Sequence, residues 1–154
     1  MMHGVNEWRQ EGRLYLWRYA NPKHGWQFSA DPVGCRSIRN LLDRMRGGEP
    51  CYRTLKLNAV TDTILNVPNY GQKAHGHFEK VRIEYFPTFE NLHIEPDGDA
   101  LILTTDARRA HALSAAVAAV EVGDGDFGIS PAKKAASWMF WWMSDINYYD
   151  GKRL

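Results

Sequence analysis

Asn91-Leu92-His93-Ile94-Glu95-Pro96-Asp97-Gly98-Asp99-Ala100-Leu101-Ile102-Leu103-Thr104-Thr105-Asp106 is the stretch that decides the fold class. Residues 91–95 and 100–105 read as strands, and Pro96-Asp97-Gly98-Asp99 between them is a strong turn signal, so the two form a hairpin. Asp106 then caps an Ala-rich run in which Ala110, Leu113, Val117 and Val120 share one helical face. Strands gathered ahead of helices argue α+β over a doubly wound α/β fold, and links this short suit antiparallel pairing.

Working outward, residues 78–86 alternate as a third strand and extend the hairpin into a meander. Upstream, residues 58–73 carry Pro68, Asn69 and Gly71 and read as an irregular connection of unusual length, preceded by a strand at 51–57. Asp31-Pro32 supplies an N-cap and a first-turn proline. Cys35, Ile38, Leu41, Leu42 and Met45 then recur at helical spacing up to Gly47-Gly48. Residues 13–19 and 26–30 alternate on either side of Asn21-Pro22-Lys23-His24-Gly25 and pair as a hairpin. Downstream, Gly123-Asp124-Gly125-Asp126 marks a turn, and Ser130-Pro131 opens a further helix through about Ser144. The expectation is one α+β domain over residues 1–154: a mainly antiparallel sheet of five to six strands with about three helices packed on one face.

Composition narrows the function classes. The chain has 154 residues, 44% of them apolar, enough to close one core. Its 19 Lys and Arg against 18 Asp and Glu leave a net charge of +1, which argues against general nucleic-acid or polybasic membrane binding. The longest strongly apolar block, residues 138–143, is far shorter than the ~20 residues a spanning helix needs. Only Cys35 and Cys51 are present, and the N-terminal residues lack the apolar core of a signal peptide, so a reduced, cytoplasmic protein without a lipid anchor is expected.

Several stretches carry candidate chemistry. In His75-Gly76-His77-Phe78-Glu79, alternate residues of a strand share a face, so His75, His77 and Glu79 can converge on one divalent metal such as zinc, with Glu79 as ligand or general base. Solvated loop histidines are the competing reading, and the remaining motif of a cupin barrel is missing. Cys35 near a helix start has a nucleophile's position but a core residue's spacing. Asp126-Phe127-Gly128 matches a kinase tripeptide in a chain lacking the rest of that machinery, and Asp124 and Asp126 lack the ligand spacing of a calcium loop. Arg36, Arg39, Arg44 and Arg46, with Arg53 and Lys56, form either a basic patch or a solvated face. Lys80, Arg82 and Glu84 opposite His93 and Glu95 make a charged outer sheet face.

The block Trp138-Met139-Phe140-Trp141-Trp142-Met143 is apolar on every side of a helix, more than a small domain needs to bury. Trp138, Trp141 and Trp142, continued by Tyr148 and Tyr149, are therefore the candidate interface for a partner protein or a second copy of the chain, with internal burial beneath the N-terminal segment and the tail as the competing reading. No complete catalytic constellation appears and no cofactor is expected. The leading expectation is a non-catalytic interaction or homodimerising domain, comparable in size and composition to proteins such as toxin-immunity proteins that neutralise or accompany one partner. A metal-dependent hydrolase built on His75, His77 and Glu79 is the alternative. A small-ligand or sugar-binding module lined by Tyr15, Trp17, Tyr19 or Trp26 is a third.

Overall fold

A computed structural model describes residues 4–19, 25–66, 75–88, 92–122, 127–129 and 138–141. The elements run β1 (Leu14–Arg18), β2 (Trp26–Ala30), α1 (Pro32–Met45), β3 (Cys51–Lys56), α2 (Asp62–Asn66), β4 (Lys80–Tyr85), β5 (His93–Asp97), β6 (Ala100–Thr105), α3 (Ala107–Val122), β7 (Phe127–Ile129) and β8 (Trp138–Phe140). The class is α+β as expected, but the strands form two mixed sheets, β1-β2-β8-β7 and β3-β4-β6-β5, instead of one mainly antiparallel sheet.

The expected meander fails for a geometric reason. β4 pairs with β6 in parallel, from Lys80↔Ala100 to Tyr85↔Thr105, while β5 lies outside β6 as an antiparallel edge strand. β5 itself reverses the chain, so the link after β4 only has to step over one strand position, roughly 10 Å, to make two strands parallel without a helical crossover.

The local signals that shape the helices act as the sequence implies. The Asp31 carboxylate accepts from Gly34 N at 2.7 Å and from Arg13 N at 2.9 Å, so one side chain both starts α1 and ties it to β1. Gly34 lets that junction close: a Cβ there would lie 2.2 Å from the Arg13 carbonyl oxygen. Asp106 accepts from Arg109 N at 2.8 Å and opens α3. Glu121 of α3 meets Arg36 at 3.1 Å and Arg39 at 3.0 Å, fastening the two long helices together.

The main core lies between the facing sides of both sheets and the apolar stripes of α1 and α3. Residues 4–13 run beside it, inserting Val5 and Trp8, with Trp8 Nε1 donating to Ser37 O at 2.8 Å and the Arg53 guanidinium donating to the carbonyls of Val5 and Trp8. A small void of about 20 Å³ remains, lined by apolar side chains including Leu42, Val81, Val117 and Phe140. The sheets join where Asn58 brackets Leu14, its N donating to Leu14 O at 2.8 Å and its Oδ1 accepting from Leu14 N at 3.0 Å.

Two further expectations need correction. The three helices do not share one face: α2, inside the connection read as irregular, packs Ile64 and Leu65 against Tyr15, Trp17 and Tyr19 on the opposite side of the first sheet. Within the helix expected over residues 130–144, residues 138–140 are instead a strand set between β2 and β7, and residues 130–137 and 142–144 lie outside the described residues. A run apolar on all sides fits a central strand covered on both faces as well as a buried helix, and three residues cannot separate the two periods.

Candidate functional site

Among the described residues the second sheet has one covered and one bare face. Leu55, Val81, Ile83, Leu101 and Leu103 point into the main core, and the alternate residues point outward. Register aligns the outward residues in three rows across β3, β4, β6 and β5. Lys56, Lys80, Ala100 and Asp97 make the first row; Thr54, Arg82, Ile102 and Glu95 make the second. Tyr52, Glu84, Thr104 and His93 make the third.

Local interactions organise this face. The Arg82 guanidinium carbon sits 3.8 Å from the centre of the Tyr52 ring, and Arg82 Nε meets Glu84 Oε2 at 2.8 Å. Tyr52 is nevertheless 55% exposed, and Phe86, one residue past β4, is 41% exposed. At the far edge His93 Nε2 lies 3.5 Å from Glu95 Oε2. Lysine and arginine concentrate on β3 and β4, while the carboxylates of Glu95 and Asp97 lie on β5.

Both free edges of this sheet are blunted. Gln10 pairs with the backbone of Lys56, its Oε1 accepting from Lys56 N and its Nε2 donating to Lys56 O, both at 2.7 Å, as a neighbouring strand would. On the other side Pro96 interrupts β5 with a residue that has no N–H. The face is left more available than the edges.

The sequence-predicted metal residues do not converge. His77 Nε2 lies 4.0 Å from Glu79 Oε1 with both side chains exposed, and His75 is exposed with its backbone N donating to Arg18 O at 2.8 Å. Among the described residues no three His, Cys, Asp or Glu side chains group as a metal site. Cys35 is fully buried, its Sγ donating to Ala30 O at 3.6 Å, and burial, aided by the negative charges of Glu121 and Asp31, pushes its pKa up to about 12. That is the reverse of an activated nucleophile.

Of the proposed interface residues, Trp138 is 2% exposed and packs in the main core, 6.2 Å from the Phe140 ring. Trp141 is half-buried against the second cluster and donates from Nε1 to Gln27 Oε1 at 2.7 Å. Trp142, Tyr148 and Tyr149 lie outside the described residues. Tyr15, Trp17 and Tyr19 are buried beneath α2, so they line no open concavity; Trp26 is half-buried against Phe78, with Arg18 above both rings.

The arginine patch also resolves into internal contacts. Besides Arg36 and Arg39 on Glu121, Arg46 meets Asp43 at 3.1 Å and Arg44 donates to Gly4 O. A groove of roughly 550 Å³ between residues 7–11 and α1 is lined by Glu7, Arg9, Glu11, Arg36 and Arg44 among others, charges of both signs. Its Arg9 also donates to this chain's own backbone carbonyls. No helix among the described residues is long and apolar enough to cross a membrane.

The outer-face assignment of Lys80, Arg82, Glu84, His93 and Glu95 is visible in their alternation. Tyr52, Lys56 and Asp97 enter the site only through sheet order. Comparison with known proteins returns no matching family model, no matching curated protein and no matching solved structure.

Proposed function

We propose that this chain is a non-catalytic interaction domain that docks a protein through the outer face of β3-β4-β6-β5. The observation that carries the reading is the open face itself: four strands with no layer over them among the described residues, bearing an exposed tyrosine stacked on an arginine within a mixed-charge surround. Tyrosine and arginine are enriched at interface hot spots, and a face of both signs suits a protein better than a polyanion. Neutralising or accompanying one partner is a role that such a surface can fill.

The test is affinity capture by the purified wild-type chain and by Tyr52→Ala with Arg82→Ala, alongside sedimentation at hundreds of micromolar. A protein retained by the wild type, lost with the double variant and bound again after purification supports the reading. So does self-association that the double variant abolishes. The reading fails if the wild type neither self-associates nor holds any protein that the variant releases.

A further inference from the structure

We propose that the occupant of this face is a second copy of the chain, related by a two-fold axis lying in the interface and running along the strands; this deepens the interaction reading and rests on it. The argument is the order of charge across one row. Lys56 and Asp97 stand at opposite ends of the same register row, separated by Lys80 and Ala100. Three strand spacings put them roughly 14 Å apart. A two-fold axis along the strands reverses the strand order and keeps each row in place, so β3 of one copy faces β5 of the other. Lys56 then meets the second copy's Asp97, and the same contact recurs on the other side of the axis.

The other rows obey the same operation. Tyr52 faces His93 of the second copy, the carboxylate of Glu95 faces the Thr54 hydroxyl, and the half-buried Ile102 lies near the axis. The alternative axis, across the strands, would lay β3 on β3 and β5 on β5 with the rows reversed, so that Lys56 would meet Tyr52 and Asp97 would meet His93 while the middle row laid Arg82 on Arg82 and Glu95 on Glu95. Neither Lys56 nor Asp97 has an ion-pair partner among the described residues, so both are free to make the intermolecular contact. The blunted edges at Gln10 and Pro96 direct association to the face instead of to edge-to-edge pairing. Facing sheets pack about 10 Å apart and about 30° from alignment, a geometry that long lysine and aspartate side chains at the rim span.

The face measures roughly 19 by 18 Å, smaller than the ~800 Å² per partner of a standard interface, so the dimer is a weak, salt-sensitive one. Its charge logic gives a specific test by analytical ultracentrifugation of the intact chain up to about 1 mM, with circular dichroism to check that every variant is folded. Lys56→Asp places carboxylates opposite each other, and Asp97→Lys places ammonium groups opposite each other. Each variant alone is expected to dimerise at least about tenfold more weakly than the wild type at low salt. An equimolar mixture is expected to regain wild-type association as a heterodimer, because every contact then pairs one charge of each sign.

Recovery in the mixture, with loss in each single variant, supports the two-fold arrangement. A wild-type dimer that both variants leave unchanged, or that the mixture does not restore, overturns this arrangement while leaving self-association standing. A wild type that stays monomeric at every concentration overturns the inference as well. The interaction reading then stands only on capture of a different protein that Tyr52→Ala with Arg82→Ala releases, and falls if there is none.

Discussion

The two sheets share one core but differ in what covers them. In the first sheet β1 and β2 are buried at both parities, with the main core on one side and the α2 cluster on the other, whereas among the described residues β3-β4-β6-β5 is covered on one face only. Their sequences differ accordingly. Leu14, Tyr15, Leu16 and Trp17 of β1 are all buried, so the strand is apolar at both parities; β4 alternates Lys80, Val81, Arg82, Ile83, Glu84 and Tyr85. Large aromatic side chains therefore signal enclosure in the first sheet, and the proposed docking surface lies where the residues look ordinary.

The sharpest way to break that contrast is to truncate β8. Trp138→Ala and Phe140→Ala each remove a ring that is at most 2% exposed, and each is expected to cost about 3–5 kcal/mol in urea unfolding. Should either variant fail to fold, Phe140→Leu serves instead, with a loss of roughly 1–2 kcal/mol. A loss below about 0.5 kcal/mol in all three would place these rings outside the core and return them to the surface.

Much of this was legible because local physics dominates it. Alternation on either side of an Asn/Pro/Gly turn identifies the β1–β2 hairpin, and the Asp31 and Asp106 caps mark where α1 and α3 begin. The parallel neighbours β2–β8 and β4–β6 were not legible, because nothing in a strand's own pattern names the strand beside it. β8 is not legible as a strand because its length is under one helical turn, too short for a period to show. The candidate site divides along the same line: which residues of β4 and β5 look outward is local, but the placing of Lys56 and Asp97 at the two ends of one row follows only from sheet order.

The two free cysteines give a second, smaller measure of the contrast. Cys35 sits in α1 against the doubly enclosed sheet with its thiol raised from 9.0 to about 12, first by desolvation and then by Glu121 and Asp31. Cys51 on β3 is half-buried and raised by desolvation alone. Since the unfolded thiol releases its proton near 9.0 and the folded Cys35 only near 12, the folded state holds more protons between these values, and stability falls as pH rises through that window. Relative to pH 7, this group alone is expected to lower the unfolding free energy by about 1.4 kcal/mol at pH 10. Cys35→Ala removes that slope, so the wild-type and variant urea midpoints measured from pH 8 to 10 should diverge; parallel curves would mean that the thiol is not desolvated.

The smallest expected change in stability is also the one that bears most on function. Tyr52→Ala removes a ring that is 55% exposed and stacks with Arg82, so it should lower stability by no more than about 1 kcal/mol. An aromatic ring on a sheet exterior that contributes so little to folding has its apolar surface left to offer to another molecule, and its removal should weaken docking more than it weakens the fold. Unfolding and association measured on the same preparation separate the two effects. A loss of 3 kcal/mol or more in unfolding, comparable to that of Trp138→Ala, would mean that Tyr52 is structural and that the bare face is covered in the folded chain.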